Sequence, residues 1–222
     1  MLRKILKFML IKATIKNMDP KISHSVRLME KSIRLNIERH LKDCYRINAI
    51  PITLRVMEEW VVLVDKADQE IGLKEKLAAH RDGDLHRAVS VFLFNTKGEM
   101  MLQQRALSKY HSGGLWTNAC CSHPRQGESP MQAAGRRLVE EMGIRCPLKK
   151  KLDFVYQVSL DNNLSEHEFD HVFVGTFDGA PLLNPIEAMN WKWISLEQLQ
   201  KEIKAYPETF TAWFKIILEM GF

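Results

Sequence analysis

The chain has 222 residues, 45% hydrophobic and 27% charged, the balance of a soluble globular protein with room for one sizeable domain and an appendage. Its net charge of +5 is unevenly held: residues 1–56 carry 13 Lys/Arg against 4 Asp/Glu (+9), and the remainder carries 19 against 23 (−4). The main body therefore has no basic surplus for nucleic acid, and no uninterrupted apolar run is long enough to span a bilayer.

Residues 1–17 mix apolar side chains with lysines that interrupt every stretch, a poor secretory core. Ile22, Val26, Met29, Ile33, Ile37 and Leu41 then recur at helical spacing, with Arg27, Lys31, Arg34 and Arg39 between them. The expectation for residues 1–56 is a basic extension, helical or partly disordered. It packs on the main domain, lies outside the native start, or makes weak contact with an anionic membrane surface. Residues 57–222 form the folded domain. Trp60–Val64 reads as a strand. His80 and His86 flank a polar loop, Arg81-Asp82-Gly83-Asp84. Ala88–Phe94 and Met100–Gln104 are strands around the turn Asn95-Thr96-Lys97-Gly98, which predicts a hairpin.

Trp116–Cys121 is one short strand-like stretch. Ser129-Pro130-Met131-Gln132 combines an N-cap serine, proline at the first helical position and glutamine three after the cap, so a helix should run to Gly143. Leu152–Leu160 and Glu168–Phe177 alternate as strands around Asp161-Asn162-Asn163, and Asn190–Ile194 is a last strand. Ser195 with Gln198 opens another helix, and Thr209–Met220 reads as a closing one. The fold class is α/β (α+β), a mixed sheet flanked by helices. The cysteines are Cys44, Cys120, Cys121 and Cys146; two are adjacent, so a disulfide framework is not expected and a reducing cytoplasm fits better.

The densest chemistry lies in Thr117-Asn118-Ala119-Cys120-Cys121-Ser122-His123-Pro124. On an extended backbone Cys121 and His123 share a face, and Cys120 points the other way. A Cys/His pair serves as a zinc site, a thiol nucleophile or an acid/base pair, or is a buried thiol beside a capping histidine. His80, His86 and His123 with Glu166 and Glu168 supply five N/O ligands suited to Mn²⁺, Mg²⁺ or Zn²⁺ if a fold gathers them. Arg137 and Glu141, four apart on one helix face, make either a surface salt bridge or a phosphate-and-cation pair.

Together these residues resemble the type I isopentenyl-diphosphate isomerases of the Nudix superfamily. The matching segments are Lys76–His80, Leu85–Ala88, Gln104–Lys109, Trp116–Pro124, Arg136–Gly143, Glu166–Glu168 and Thr211–Phe214, in the family's order over about residues 57–222. The resemblance implies a Nudix-like mixed sheet flanked by helices and the interconversion of isopentenyl and dimethylallyl diphosphate. It also implies an octahedral Mn²⁺ or Mg²⁺ (or Zn²⁺) site built from His80, His86, His123, Glu166 and Glu168. Cys121 and Glu168 become the opposed catalytic groups, with Tyr156 hydrogen-bonding beside them. Glu141 becomes the ligand of a Mg²⁺ that bridges to the diphosphate. Lys76, Arg105, Lys109 and Arg137 clamp that diphosphate, and Trp213 forms an aromatic wall over the hydrocarbon. The His80–His86 gap is one residue shorter than in some members, and the place of His171 is open. The competing readings are a Nudix pyrophosphohydrolase, disfavoured because Arg137 replaces a metal-binding glutamate, and a non-catalytic diphosphate sensor.

Overall fold

The computed structural model describes residues 59–221, and the expectations for residues 1–56 lie outside them. Strand β1 (Trp60–Val64) pairs antiparallel with β2 (Glu70–Glu75), from Trp60↔Glu75 to Val64↔Glu70. β2 runs directly into the short helix α1 (Lys76–Asp82). There the Glu75 carboxylate accepts from the amides of Leu77 and Ala78, and Gly83 closes the helix at φ 72°, a left-handed position that suits glycine. His80 therefore sits on a helix, not beside a polar loop. This helix went unread because it spans under two turns and its Leu77 faces solvent.

β3 (His86–Phe94) is the central strand. It runs parallel to β8 (Ser165–Thr176), from His86↔Glu168 to Phe94↔Thr176, and antiparallel to β6 (Cys120–Ser122), with Val89↔Ser122 and Val91↔Cys120. A strand has two edges, and both of β3's are taken. The predicted hairpin is therefore reduced to one pairing, Phe94↔Met100, and β4 (Met100–Arg105) leaves to pair with β9 (Ala188–Ile194) and β5 (Trp116–Thr117). For the same reason Trp116–Cys121 is not one strand. It breaks at Asn118-Ala119, β5 staying with β4 and β6 crossing to β3. The buried Asn118 amide secures the break by donating to the carbonyls of Val91 and Cys120.

β7 (Leu148–Ser159) pairs antiparallel with β8, and the turn between them puts Asn162 and Asn163 at φ 60° and 56°. β8 begins at Ser165, earlier than the pattern predicts, so it carries both Glu166 and Glu168. On one side of the sheet packs α2 (Pro130–Met142), whose Ser129/Gln132 capping box and Gly143 terminus are as read from sequence. Its Ala133, Ala134, Leu138 and Met142 meet Val89, Val91, Leu93, Cys120 and Phe173. Each large side chain buried there contributes about 1.5–3 kcal/mol. The other side receives α3 (Leu196–Ala205), capped by Ser195, and α4 (Ala212–Glu219). The expected closing helix, Thr209–Met220, starts only at Ala212, after a 3₁₀ turn at Pro207–Thr209, because Phe210 lies extended against Trp116. Trp213, Phe214 and Ile217 pack there on Phe92, Leu102 and Val172.

Strand alternation sorts the chemistry. On β3 the odd residues Val89, Val91 and Leu93 face α2, while Ser90 and Phe92 face the α4 side. On β8 the even residues Glu166, Glu168 and Asp170 form a buried acidic row leading into Val172. Burying three carboxylates in line costs free energy unless each is partnered, so the row marks a site.

Candidate active site

Three histidines enter this face from three elements: His80 from α1, His86 from the start of β3 and His123 from just beyond β6. His80 Nδ1 lies 2.6 Å from the Lys76 carbonyl and His86 Nδ1 2.8 Å from that of Asp84, so each Nδ1–H donates to its own segment. Each Nε2 is then a lone pair aimed inward, buried and without a hydrogen-bond partner among the described residues. His123 Nε2 lies 3.0 Å from Glu168 Oε1, and His86 Nε2 lies 3.6 Å from the same oxygen. One ligand atom from each of His80, His86, His123 and Glu168 falls within 4.8 Å of the others. Two orphaned imidazole lone pairs facing a carboxylate are the donor set of a divalent metal site, and the residues fit that group. Glu166 groups instead with His80 and His111 over the same span.

The register explains the third layer. Tyr156 on β7 pairs with Glu168 on β8, and its hydroxyl lies 2.6 Å from Glu168 Oε2 and 3.0 Å from Glu166 Oε2. Its one proton serves one oxygen at a time. Burial, and then repulsion from Glu168, push the Glu166 carboxyl well above the ordinary carboxylate range. Burial would also raise Glu168, but the His123 hydrogen bond and the two imidazoles of His123 and His86 beside it hold it well below. Burial brings His123 down to about 3, leaving a neutral, metal-competent imidazole.

Cys121 faces this pocket. Its Sγ lies 2.9 Å from Asn118 Oδ1, 3.2 Å from the Trp213 indole Nε1 and 3.4 Å from Ser90 Oγ. Burial, with the Asp170 charge behind Ser90, raises the thiol far above its ordinary value, so it carries its proton at neutral pH. Cys120, one residue earlier, points through the sheet into the α2 core and donates to Glu141 Oε1 at 3.3 Å. The alternation expected at this pair is what the structure has.

The remaining wall is basic: Lys76, Arg105, Lys109 and Arg137 line the same cavity as Cys121, His123, Tyr156, Glu166, Glu168 and Trp213. Each cation already has a partner. Lys76 meets Glu59 at 2.7 Å and Lys109 meets Glu187 at 2.6 Å. Arg137 contacts Glu140, Glu141 and Glu187 at 2.8–3.0 Å. Arg105 donates to the carbonyls of His111 and Ser112 and lies 5.1 Å over the Trp213 ring. Glu141 is buried but does not line the cavity; Arg137, Gln103 and Cys120 occupy its oxygens. His171 lies on the opposite face of β8, 3.1 Å from Asp68 and away from the site.

Several residues here were not read from sequence. Asp170 continues the i, i+2 acidic row, a signal that was available. Its Oδ2 accepts from Ser90 at 2.8 Å, and burial followed by Glu168 brings it up to about 8. Tyr110 and His111 lie in a loop with no periodicity to betray them, and Glu187 is separated from its partners by 50 and 78 residues.

A NUDIX domain matches residues 84–214. Isopentenyl-diphosphate Delta-isomerase 2 of Aromatoleum aromaticum is 52% identical over 163 residues, spanning 73% of this chain and 86% of that protein. The isopentenyl-diphosphate Delta-isomerase of Serratia proteamaculans is 51% identical over 163 residues, covering 73% and 91%. Among solved structures, DR0079 from Deinococcus radiodurans superposes with a TM-score of 0.57 at 22% identity, over 67% of this chain and 90% of that one, a likeness of fold.

Proposed function

Since the chain belongs to the Nudix superfamily and, within it, to the isopentenyl-diphosphate Delta-isomerases of isoprenoid biosynthesis, we propose that Cys121 and Glu168 are the two groups that exchange protons with its five-carbon diphosphate substrate. The observation that carries this reading is one cavity lined by both groups, by His123 and by four cations.

Isopentenyl diphosphate becomes dimethylallyl diphosphate when the terminal alkene carbon gains a proton and C2 loses one. The tertiary cation between these steps must be neither lost nor hydrated. The alkene offers little to grip, so the diphosphate is the handle. Lys76, Arg105, Lys109 and Arg137 anchor it by charge and by bidentate hydrogen bonds. Cys121 and Glu168 then act on the two carbons, one giving a proton and the other taking one. The Tyr156 hydroxyl fixes the Glu168 oxygens, and Asn118 and Trp213 hold the Cys121 sulfur. The Trp213 π face lies against the cation, an interaction worth roughly 2 kcal/mol when desolvated. Burial of Glu166, Glu168 and Asp170 keeps bulk water from the reacting carbons.

His80, His86, His123, Glu166 and Glu168 would hold Mn²⁺ or Mg²⁺, with Zn²⁺ the third choice, and Glu141 would hold a Mg²⁺ once Arg137 turns to the diphosphate. Bound there, the first ion polarises the carboxylates and the second offsets diphosphate charge. We place the reaction in the cytoplasm, a reading supported by the free thiols Cys120, Cys121 and Cys146. We assign the basic extension at most a weak contact with anionic membrane, supported by its charge alone. Among the described residues no helix is long and apolar enough to cross a membrane. The test is incubation with isopentenyl diphosphate and Mg²⁺. Dimethylallyl diphosphate should form without phosphate release from wild type and not from Cys121→Ala. Phosphate release, or a Cys121→Ala protein as active as wild type, would reject the reading.

A further inference from the structure

The loop 106–115 between β4 and β5 is built around one side chain. Its residue Ser112 sits at φ 51°, a left-handed conformation that a residue with a Cβ adopts at a cost. Gly113 has no room for a side chain, since a Cβ there would come within 2.9 Å of the Leu107 carbonyl oxygen. The Arg105 guanidinium holds the carbonyls of His111 and Ser112 at 3.2 Å each. So over-determined a backbone fixes the direction of His111, which is buried with its ring edge-on to Trp213 at 5.7 Å.

His111 repeats the arrangement of His80 and His86. Its Nδ1 is tied back to its own segment, 3.2 Å from Ser112 Oγ, a hydroxyl that can accept from Nδ1–H or donate to Nδ1; ligation uses the first tautomer, which leaves Nε2 bare. Its Nε2 then faces the cavity, 3.8 Å from Glu166 Oε1, and lies with that oxygen and a His80 nitrogen inside 4.8 Å. A separation of 3.8 Å is too long for a hydrogen bond. It falls between the roughly 3.0 Å and 4.2 Å separations of adjacent and opposite ligands placed about 2.1 Å from one ion. His80 Nε2, its only free nitrogen, is shared by this group and the His86–His123–Glu168 group, so both groups address the same ion.

We infer that His111 is a sixth protein ligand of the ion held by His80, His86, His123, Glu166 and Glu168. This rests on reading that cluster as a metal site. With one oxygen from each carboxylate the ligand count reaches six, and the position otherwise open to water is closed. Water bound there would be the nucleophile nearest a tertiary cation, so closing it protects the intermediate.

The test strips wild type, His111→Ala, His111→Asn and His86→Ala with a chelator and loads each with Co²⁺. Affinity is read by chelator competition and ligand geometry by visible absorption. Both His111 variants should bind Co²⁺ at least about tenfold more weakly than wild type. Their absorption bands should change, and millimolar imidazole should restore the His111→Ala spectrum. Wild-type affinity and spectrum in His111→Ala, with His86→Ala losing Co²⁺, would overturn the sixth ligand and leave the metal site standing. No Co²⁺ binding by wild type, or full binding by His86→Ala, would remove the metal site and this inference with it. Melting of the metal-free proteins should be alike, and imidazole rescue separates ligation from a disturbed loop.

Discussion

At the imidazole end of the pocket the inward nitrogens of His80 and His86 have no partner among the described residues, whereas at the basic end Lys109 and Arg137 already hold carboxylates and Arg105 holds carbonyls. Leaving a buried acceptor unsatisfied costs about 1–3 kcal/mol. The first end therefore keeps a standing demand for a cation. At the second end the terminal nitrogens of Arg137 and the Lys109 ammonium hold carboxylates and only the Arg137 Nε–H lacks a partner among the described residues, so on the proposed function a diphosphate has to displace Glu187 and Glu141 from the cations before it binds. Affinity there is a difference between two sets of ion pairs, and it should be modest and adjustable. On the proposed function, chemistry belongs to the first end and anchoring to the second, and each can be broken separately.

Substitutions at the two neighbouring thiols should produce the widest gap. Cys121→Ala is expected to lower kcat by about 10³-fold or more while keeping wild-type metal content. Cys120→Ala, on the core side of the same strand, should keep kcat within a few-fold and lose about 1–2 kcal/mol of stability in a denaturant titration. Equal kinetic losses would dissolve the distinction between the two faces of β6. Tyr156→Phe comes next: loss of the hydroxyl that holds Glu168 should reduce kcat by ~10–100-fold with KM little changed. At the basic end the signature inverts. Arg137→Ala should raise KM by about tenfold and change kcat far less; an unchanged KM would argue against a diphosphate contact.

The smallest effect concerns Glu187. Burial would raise its carboxyl, but Lys109 and Arg137 bring it down to about 2 from an ordinary 4.5. A carboxyl depressed on folding adds stability that is complete above the ordinary value and lost as pH falls toward about 2. Thermal melts of wild type and Glu187→Gln should therefore differ by a few degrees at pH 7 and converge near pH 2. A difference that persists at pH 2 would assign the contribution to packing instead.

How far sequence carried also differs between the two ends. The histidines and carboxylates that gather in the pocket, and Cys121, were legible because short motifs tie them to strand alternation. Cys121 and His123 share a face, Glu166 and Glu168 share another, and a pleated strand can place them in no other way. The Ser129–Gln132 capping box and Gly143 marked α2 for a similarly local reason. What was missed depends on distant competition. The β3–β4 hairpin failed because β6 and β8 took both edges of β3, a fact about residues 120 and 168 that no reading of 88–104 contains. His111 and Glu187 reach the pocket through an aperiodic loop and across long sequence separations. The four cations expected to clamp a diphosphate do line one cavity, but their resting carboxylate partners were not foreseen.

The most direct test of the unsatisfied end is a metal titration of chelator-stripped enzyme. With Mg²⁺ supplied alongside the diphosphate in every assay, full isomerisation should return with one tightly held equivalent of Mn²⁺ per chain in wild type and fail to return in His86→Ala at the same stoichiometry. Full activity in the stripped wild type, or recovery of His86→Ala with the same single equivalent, would contradict a metal-bearing histidine cluster at the centre of this pocket.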